Sequence, residues 1–340
     1  MSAPRRGGVR VAFPAIISRM WNGNNANSSG AHGDSLPRLI VVSGPTATGK
    51  TALAVELALR FGDEVVNADS RYLYRGFDIG VAKPDLAERR GVPHHLIDIL
   101  APDGDMSLAR FQDRAIEAIG DILGRDRIPI LAGGTPLYVN AVVENWRIPR
   151  VAPNPDFRVA CEAEAAKSGI AALTDRLRQV DPAAAERCGT NLRRVIRALE
   201  IHDATGIPMT EQEGKGARRW NALELGLFRR REALYAAIDR RIADQIDRGL
   251  VDELGGLLAG GVPEDAPAMS SIGYRQLLPF LRGEETLAQG IARIAADTRR
   301  YVRHQETWLR RNDRLVRLDP DEDPWPERAT AIVASFVAGR

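Results

Sequence analysis

The sequence predicts an α/β fold in which a parallel sheet is flanked by helices and interrupted by an all-helical insertion. Three observations carry that expectation. Leu39 to Val42 is a run of apolar, mostly β-branched residues that ends in Gly44-Pro-Thr-Ala-Thr-Gly-Lys-Thr51 and leads into helical spacing over Ala52 to Phe61. Further short apolar runs, Glu64 to Ala68 and Ile128 to Ala132, end in polar or glycine-rich turns and alternate with helical stretches, as in parallel sheets. Strand signals then vanish between about 146 and 222 and return at Leu223 to Phe228.

The first run has the strand–loop–helix context of a phosphate loop, Gly, four residues, then Gly-Lys-Thr, so the sheet reads as P-loop NTPase-like. The chemistry follows from the residue types. Gly44, Pro45, Thr46, Ala47, Thr48 and Gly49 form a turn whose N–H groups can face phosphate oxygens, and the helix start adds partial positive charge. Lys50 supplies a point charge, and the Thr51 hydroxyl is placed to hold Mg²⁺. By motif alone, the guest is a nucleoside triphosphate.

Composition bounds the rest. The chain has 340 residues, is 44% hydrophobic and 27% charged, and carries a net charge of +2, ordinary values for a soluble globular protein. Cys161 and Cys188 lack metal-site spacing and suit a reducing compartment, so a cytoplasmic protein is expected. No stretch approaches the ~18 apolar residues of a membrane span.

In chain order, residues 1–36 are arginine-bearing and acid-poor, with a polar tract from Asn22 to Gly33. They read as a disordered extension; a transit peptide or a start codon placed too early, with Met20 as another start, are the alternatives. The catalytic core is expected over 37–145 and 223–320. Its second strand ends in Asp69-Ser70, and in a parallel sheet the carboxyl ends of strands line the ligand crevice. Tyr72 to Lys83 is glycine-punctuated and reads as a loop. His94 and His95 are neighbours on a strand and face opposite ways, which argues against a shared metal. Ser107 N-caps a helix to Leu123, and the strand Ile128 to Ala132 ends in Gly133-Gly-Thr135.

The insertion, 146–222, is rich in alanine and charge, with helices at Asn154 to Lys167, Thr174 to Val180, Pro182 to Arg187 and Asn191 to Ile201. Helices at Ala233 to Ile246, Val251 to Leu258 and Leu287 to Arg310 follow, and residues 321–340 read as a C-terminal tail. Arg193, Arg194 and Arg197, then Arg218, Arg219 and Arg229 to Arg231, then the long final helix form three basic patches, accompanied by Trp220, Tyr274, Tyr301 and Trp308. Guanidinium suits phosphate and base stacking better than ammonium, and aromatics stack on unpaired bases. An RNA partner is one reading; a solvated basic face is the other.

The loop admits several chemistries. A regulatory switch is disfavoured because no Asn-Lys-x-Asp stretch occurs. A small-molecule kinase remains open, with Asp69 as base and Arg241 as charge clamp.

Seven ordered blocks from about Leu39 to Asp319 go further. They are Gly-Pro-Thr-Ala-Thr-Gly-Lys-Thr (44–51), Asp-Ser with Tyr-Arg-Gly-Phe-Asp-Ile-Gly-x-Ala-Lys-Pro (69–84), Val-Pro-His-His-Leu-Ile-Asp (92–98) and Gly-Gly-Thr-x-Leu-Tyr (133–138). Arg-Val-Ile-Arg-Ala-Leu-Glu (194–200), Ile-Gly-Tyr-Arg-Gln (272–276) and Thr-Arg-Arg-Tyr-x-Arg-x-Gln-x-Thr-Trp (298–308) complete the set. Together they resemble the tRNA dimethylallyltransferase (tRNA isopentenyltransferase) family. Adenylate isopentenyltransferase, with a free nucleotide acceptor, is the nearest alternative.

The resemblance implies transfer of a dimethylallyl group from dimethylallyl diphosphate to N6 of adenine 37 in tRNAs reading codons that begin with U. It implies a monomer that grips the anticodon stem-loop, with Mg²⁺ as cofactor. Asp69 is then the general base, with Thr135 and Arg241 contacting the diphosphate from across the site. RNA contacts carry over onto Asp69, Ser70, Arg71, Tyr72, Thr135 and Arg158. They extend to Arg193, Arg194, Val195, Ile196 and Arg197, and to Ser270, Ser271, Ile272, Gly273, Tyr274 and Arg275. Departures from the family pattern are Thr48 for serine, Arg71 for a smaller or uncharged residue, and Asn191-Leu-Arg-Arg where an acid usually follows the asparagine.

Overall fold

The fold is that of a computed structural model, which describes residues 36–322 and 324–339. The expectation for residues 1–35 lies outside those residues. Six strands form one sheet: β1 Arg38–Ser43, β2 Glu64–Asn67, β3 His94–His95, β4 Pro129–Gly133, β7 Asn221–Leu227 and β8 Val316–Leu318. Their order is β3-β2-β4-β1-β7-β8, and every pairing is parallel.

Alternation along β1 builds two layers. Leu39 and Val41 face one core with Phe111 and Ile119 of helix α2 (Leu108–Leu123) and Tyr138 and Val142 of α3 (Pro136–Val143). Three further helices complete this layer: α8 (Arg231–Asp247), α9 (Leu250–Ala259) and α10 (Leu287–Leu309). Ile40 and Val42 face the other core with α1 (Lys50–Phe61) and α11 (Trp325–Val337). All four β1 residues from Leu39 to Val42 have no exposure, and each such side chain contributes ~1.5–3 kcal/mol through burial. That is why the apolar run reads as continuous rather than alternating. Residues 321–340 are therefore not simply a tail, because Ala329 and Val333 of α11 are core residues.

The insertion contains α4 (Pro155–Ser168), α5 (Ile170–Val180), α6 (Pro182–Cys188) and α7 (Leu192–Thr205). It has its own core of Leu173, Leu177, Ala184, Val195 and Leu199, joined by both cysteines, which are free thiols. It is not purely helical. Two residues at its start, β5 Trp146–Arg147, pair antiparallel with β6 Gly214–Lys215 at its end. A two-residue strand has no period to detect in sequence, so this ribbon was invisible there.

Glycine 133 shapes the crevice. A Cβ there would lie 2.2 Å from the Ala68 carbonyl carbon, so only glycine lets the end of β4 reach the end of β2. The parallel register then brings the residues after β1, β2 and β4 to one edge.

Candidate active site

Lys50 and Thr51 at the start of α1 line one cleft with Asn67, Asp69, Tyr72 and His94. Asp69 is held at the strand end by a local turn. The Asn67 Oδ1 accepts from the Asp69 N–H at 2.8 Å, and the Asn67 amide donates to the Asp69 carbonyl at 3.0 Å and to Leu96 O at 2.9 Å. One Asp69 carboxylate oxygen accepts from the Arg71 N–H at 2.9 Å. Asn-x-Asp turns of this kind are built by side chains that mimic backbone. From β4, Thr135 Oγ1 accepts from the Ser70 N–H at 3.0 Å, which brings the two predicted hydroxyl-bearing strand ends together.

Charge converges on the same place. Burial pulls the Lys50 ammonium down to about 8, with the Asp69 carboxylate opposing the shift and the Arg241 guanidinium adding to it. Lys50 Nζ donates to Pro45 O at 2.7 Å, across the loop it terminates. Thr48, fully buried, donates its hydroxyl to the same carbonyl at 2.8 Å. Tyr72 lines the same cleft as Thr51, and burial, helped by the Asp69 charge, pushes its phenol up to about 12. Arg241, on α8, donates to Val81 O at 2.7 Å, which leaves other N–H groups of its fork for a ligand.

Sequence reasoning missed Gln305, and it read Tyr301 only as an aromatic accompanying the basic final helix. Gln305 Oε1 accepts from the Thr46 N–H at 3.0 Å, and its amide donates to Gly134 O at 2.6 Å, so α10 bridges the first loop and the β4 turn. Tyr301, one helical turn earlier, donates to Gly134 O at 3.4 Å and interacts with Thr135 and Asp69. Both lie in the 298–308 block, at the i, i+4 spacing that puts two side chains on one helix face.

A phosphate-loop motif, a carboxylate and an arginine around one crevice fit more than one phosphate chemistry, and comparison with known proteins separates them. A family model described as IPP transferase matches residues 72–312. The chain belongs to the IPP transferase family. Named tRNA dimethylallyltransferases are similar to it over most of their length. One from Thermomicrobium roseum is 55% identical over 85% of this chain and 88% of its own. One from a Roseiflexus species is 47% identical over 88% and 98%. Among solved structures, the tRNA isopentenylpyrophosphate transferase of Bacillus halodurans matches with a TM-score of 0.66 at 38% identity, covering 89% of this chain and 96% of that one. A eukaryotic dimethylallyltransferase described as acting on tRNA matches at 0.77 and 27% identity, covering 89% and 80%.

In this IPP transferase the residues expected to contact RNA divide sharply. Arg193 and Arg194 are exposed on α7, and Arg71 reaches Ser270 Oγ at 3.0 Å, which joins two of the expected segments. Arg275 is exposed but pairs with Asp297 at 3.3 Å. Four assignments need correction. Val195 and Ile196 are insertion core, and Ser271 and Tyr274 are 1% and 0% exposed, so none of these side chains is available to a nucleic acid.

Arg158 and Arg197 are corrected differently. Arg158 makes a two-pronged pair with Glu200, at 2.8 and 2.9 Å, and Arg197 donates to the same carboxylate at 2.5 Å and to Val151 O at 2.8 Å. Burial alone would raise the Glu200 carboxyl. The bonds from Arg158, the Asn154 N–H and Arg197 instead hold it down at about 2. These two arginines close the base of the insertion. Arg299 on α10 is likewise spent, on Asp239 of α8 at 2.6 and 2.7 Å.

Proposed function

We propose that this chain transfers a dimethylallyl group from dimethylallyl diphosphate to N6 of adenine 37 in tRNA, releasing diphosphate. The observation that carries the reading is the cleft lined by Lys50, Thr51 and Asp69, with Thr135 bonded to the neighbouring Ser70 N–H and the Arg241 charge acting on Lys50, in a chain of the IPP transferase family. The N6 lone pair attacks C1 of the dimethylallyl group while the C1–O bond breaks and its electrons leave with the diphosphate. Asp69 takes the proton from N6. Lys50, the loop N–H groups and Arg241 stabilise the departing charge, the larger requirement because N6 is a weak nucleophile.

Mg²⁺ fits this site only with its substrate. Among the described residues no group of three or more His, Cys, Asp or Glu side chains could hold a metal. Thr51 and Asp69 line one cleft, and one or two protein oxygens plus phosphate oxygens and water make an ordinary Mg²⁺ site. When bound, the ion neutralises diphosphate charge.

The exposed arginines of α7, with Arg71 and Ser270 beside the crevice, receive the anticodon stem-loop, and adenine 37 leaves its stack to reach Asp69. The enzyme works as a cytoplasmic monomer. No helix among the described residues is long and apolar enough to cross a membrane.

Incubation with labelled dimethylallyl diphosphate and unmodified tRNA tests the reading. Label entering tRNA without ATP supports it. Label entering free AMP in preference to tRNA, or phosphate transfer from ATP, overturns it.

A further inference from the structure

The loop from Asp78 to Lys83 makes polar contacts along almost its whole backbone. Glu253, on α9, accepts from the N–H groups of Asp78, Ile79 and Gly80 at 3.1, 2.9 and 3.3 Å. The Tyr274 hydroxyl donates to the same carboxylate and accepts from the Gly80 N–H at 3.1 Å. On the carbonyl side, the Gln245 amide donates to Ile79 O and Gly80 O, each at 2.7 Å. Arg241 takes Val81 O at 2.7 Å and the Tyr72 hydroxyl takes Ala82 O at 2.8 Å. Lys83, at the far end, is buried and donates to Tyr74 O and to the carboxylates of Asp78 and Asp98.

Surface loops ordinarily leave such groups to water. Here three consecutive N–H groups form an anion-binding nest occupied by the protein's own carboxylate. The fit is tight, because a Cβ on Gly80 would sit 2.4 Å from the Tyr274 ring. That ring packs on Phe77 with centroids 4.7 Å apart. The far side of the same strap touches the two groups that face the crevice. Tyr72 lines the cleft together with Lys50 and Thr51, and the Arg241 charge acts on Lys50 through space.

We infer that Glu253, with Tyr274 and Gln245, is a positioning residue for the donor diphosphate. The latch fixes the strap, and the strap's Val81 and Ala82 carbonyls set where the Arg241 guanidinium and the Tyr72 hydroxyl point. The inference rests on the donor reading given under Proposed function, and it gives the buried Tyr274 a task other than touching RNA. Charge-assisted hydrogen bonds fix direction as well as distance, so loosening the latch scatters Arg241 rather than removing it.

Glu253→Gln keeps the shape and turns an acceptor into a donor facing N–H groups; Tyr274→Phe keeps the ring and removes the hydroxyl. The full-length chain is assayed by calorimetry with dimethylallyl diphosphate and Mg²⁺, by filter binding with tRNA, by thermal melting and by steady-state kinetics. Expected is an increase of about tenfold in Kd and KM for the diphosphate in Glu253→Gln. A smaller rise in the same direction is expected in Tyr274→Phe, with tRNA affinity and melting temperature near wild type. Unchanged diphosphate affinity in both variants overturns the latch. So does a parallel loss of donor and tRNA binding with a lowered melting temperature, which marks a merely structural role. Failure of the wild-type chain to bind the diphosphate overturns the donor reading itself, and the latch's role with it.

Discussion

Two arginine-bearing regions of this molecule look alike in sequence and have opposite fates in the fold. Around the crevice, Lys50, Asp69 and Arg241 are held by backbone contacts that leave charge directed at one another and at the cleft. In the insertion, Arg158 and Arg197 are consumed by a single buried carboxylate, Glu200, while Arg193 and Arg194, three or four residues from Arg197 in sequence, stay exposed. Cationic residues on a helix are therefore two populations. One is structural and already neutralised; the other carries the field a nucleic acid meets.

The comparison breaks first at Asp69. Asp69→Ala is expected to lower turnover by about 10²–10⁴, the range for a lost general base, with tRNA affinity retained. Single-turnover kinetics with filter binding checks it, and near-wild-type turnover removes Asp69 from that role. Next is Glu200→Ala, which strands Arg158 and Arg197 at the base of the insertion. A loss of about 3–5 kcal/mol in denaturant unfolding is expected, as for breaking a buried pair from one side. A change under 1 kcal/mol would mean the cluster is solvated rather than structural.

The same carboxylate sharpens the contrast through pH. Its folded value of about 2 lies below the ordinary glutamate value, so its stabilisation is complete above the unfolded value and is lost as pH falls toward 2. The loss is of order 2–3 kcal/mol, read as a drop in wild-type stability below about pH 4.5 that is reduced in Glu200→Gln. Lys50 titrates at the other end. It is protonated below about 8, so diphosphate affinity should hold there and weaken by up to tenfold per pH unit above it, in calorimetry of the tRNA-free protein. The smallest effect separates the arginines directly. Arg193→Ala or Arg194→Ala should lower the salt dependence of tRNA binding by about one unit of slope, whereas Arg197→Ala should lower thermal stability and leave the slope nearly unchanged.

Much of the crevice was legible in the sequence. Gly44 to Thr51, Asp69 and Thr135 all follow strands, and strand ends in a parallel sheet converge whatever the rest of the chain does. Gln305 was less legible, although its block was recognisable, because its partners Thr46 and Gly134 are more than 170 residues away. Tyr274 was misassigned for a related reason. A tyrosine beside arginine in a glycine turn has the composition of a base-stacking platform, and only its closure under Gly80 and Glu253 identifies it as an internal strut. The C-terminal helix was legible too: Trp325, Ala329, Ile332, Val333, Phe336 and Val337 recur at helical spacing, and all of them pack on the second core.

The sequence by itself determined the sheet's first strands and the helices between them, the loop at 44–51, the family and the residues at the strand ends. Local pattern suffices for these, since an apolar run with the right turn chemistry forms the same element wherever it is placed. Only the tertiary structure decided which charges are available. An arginine's reach of several bonds lets it serve either a buried carboxylate or a passing phosphate. Which one it meets depends on where Glu200 and Asp239 come to lie, a matter of packing between helices distant in sequence.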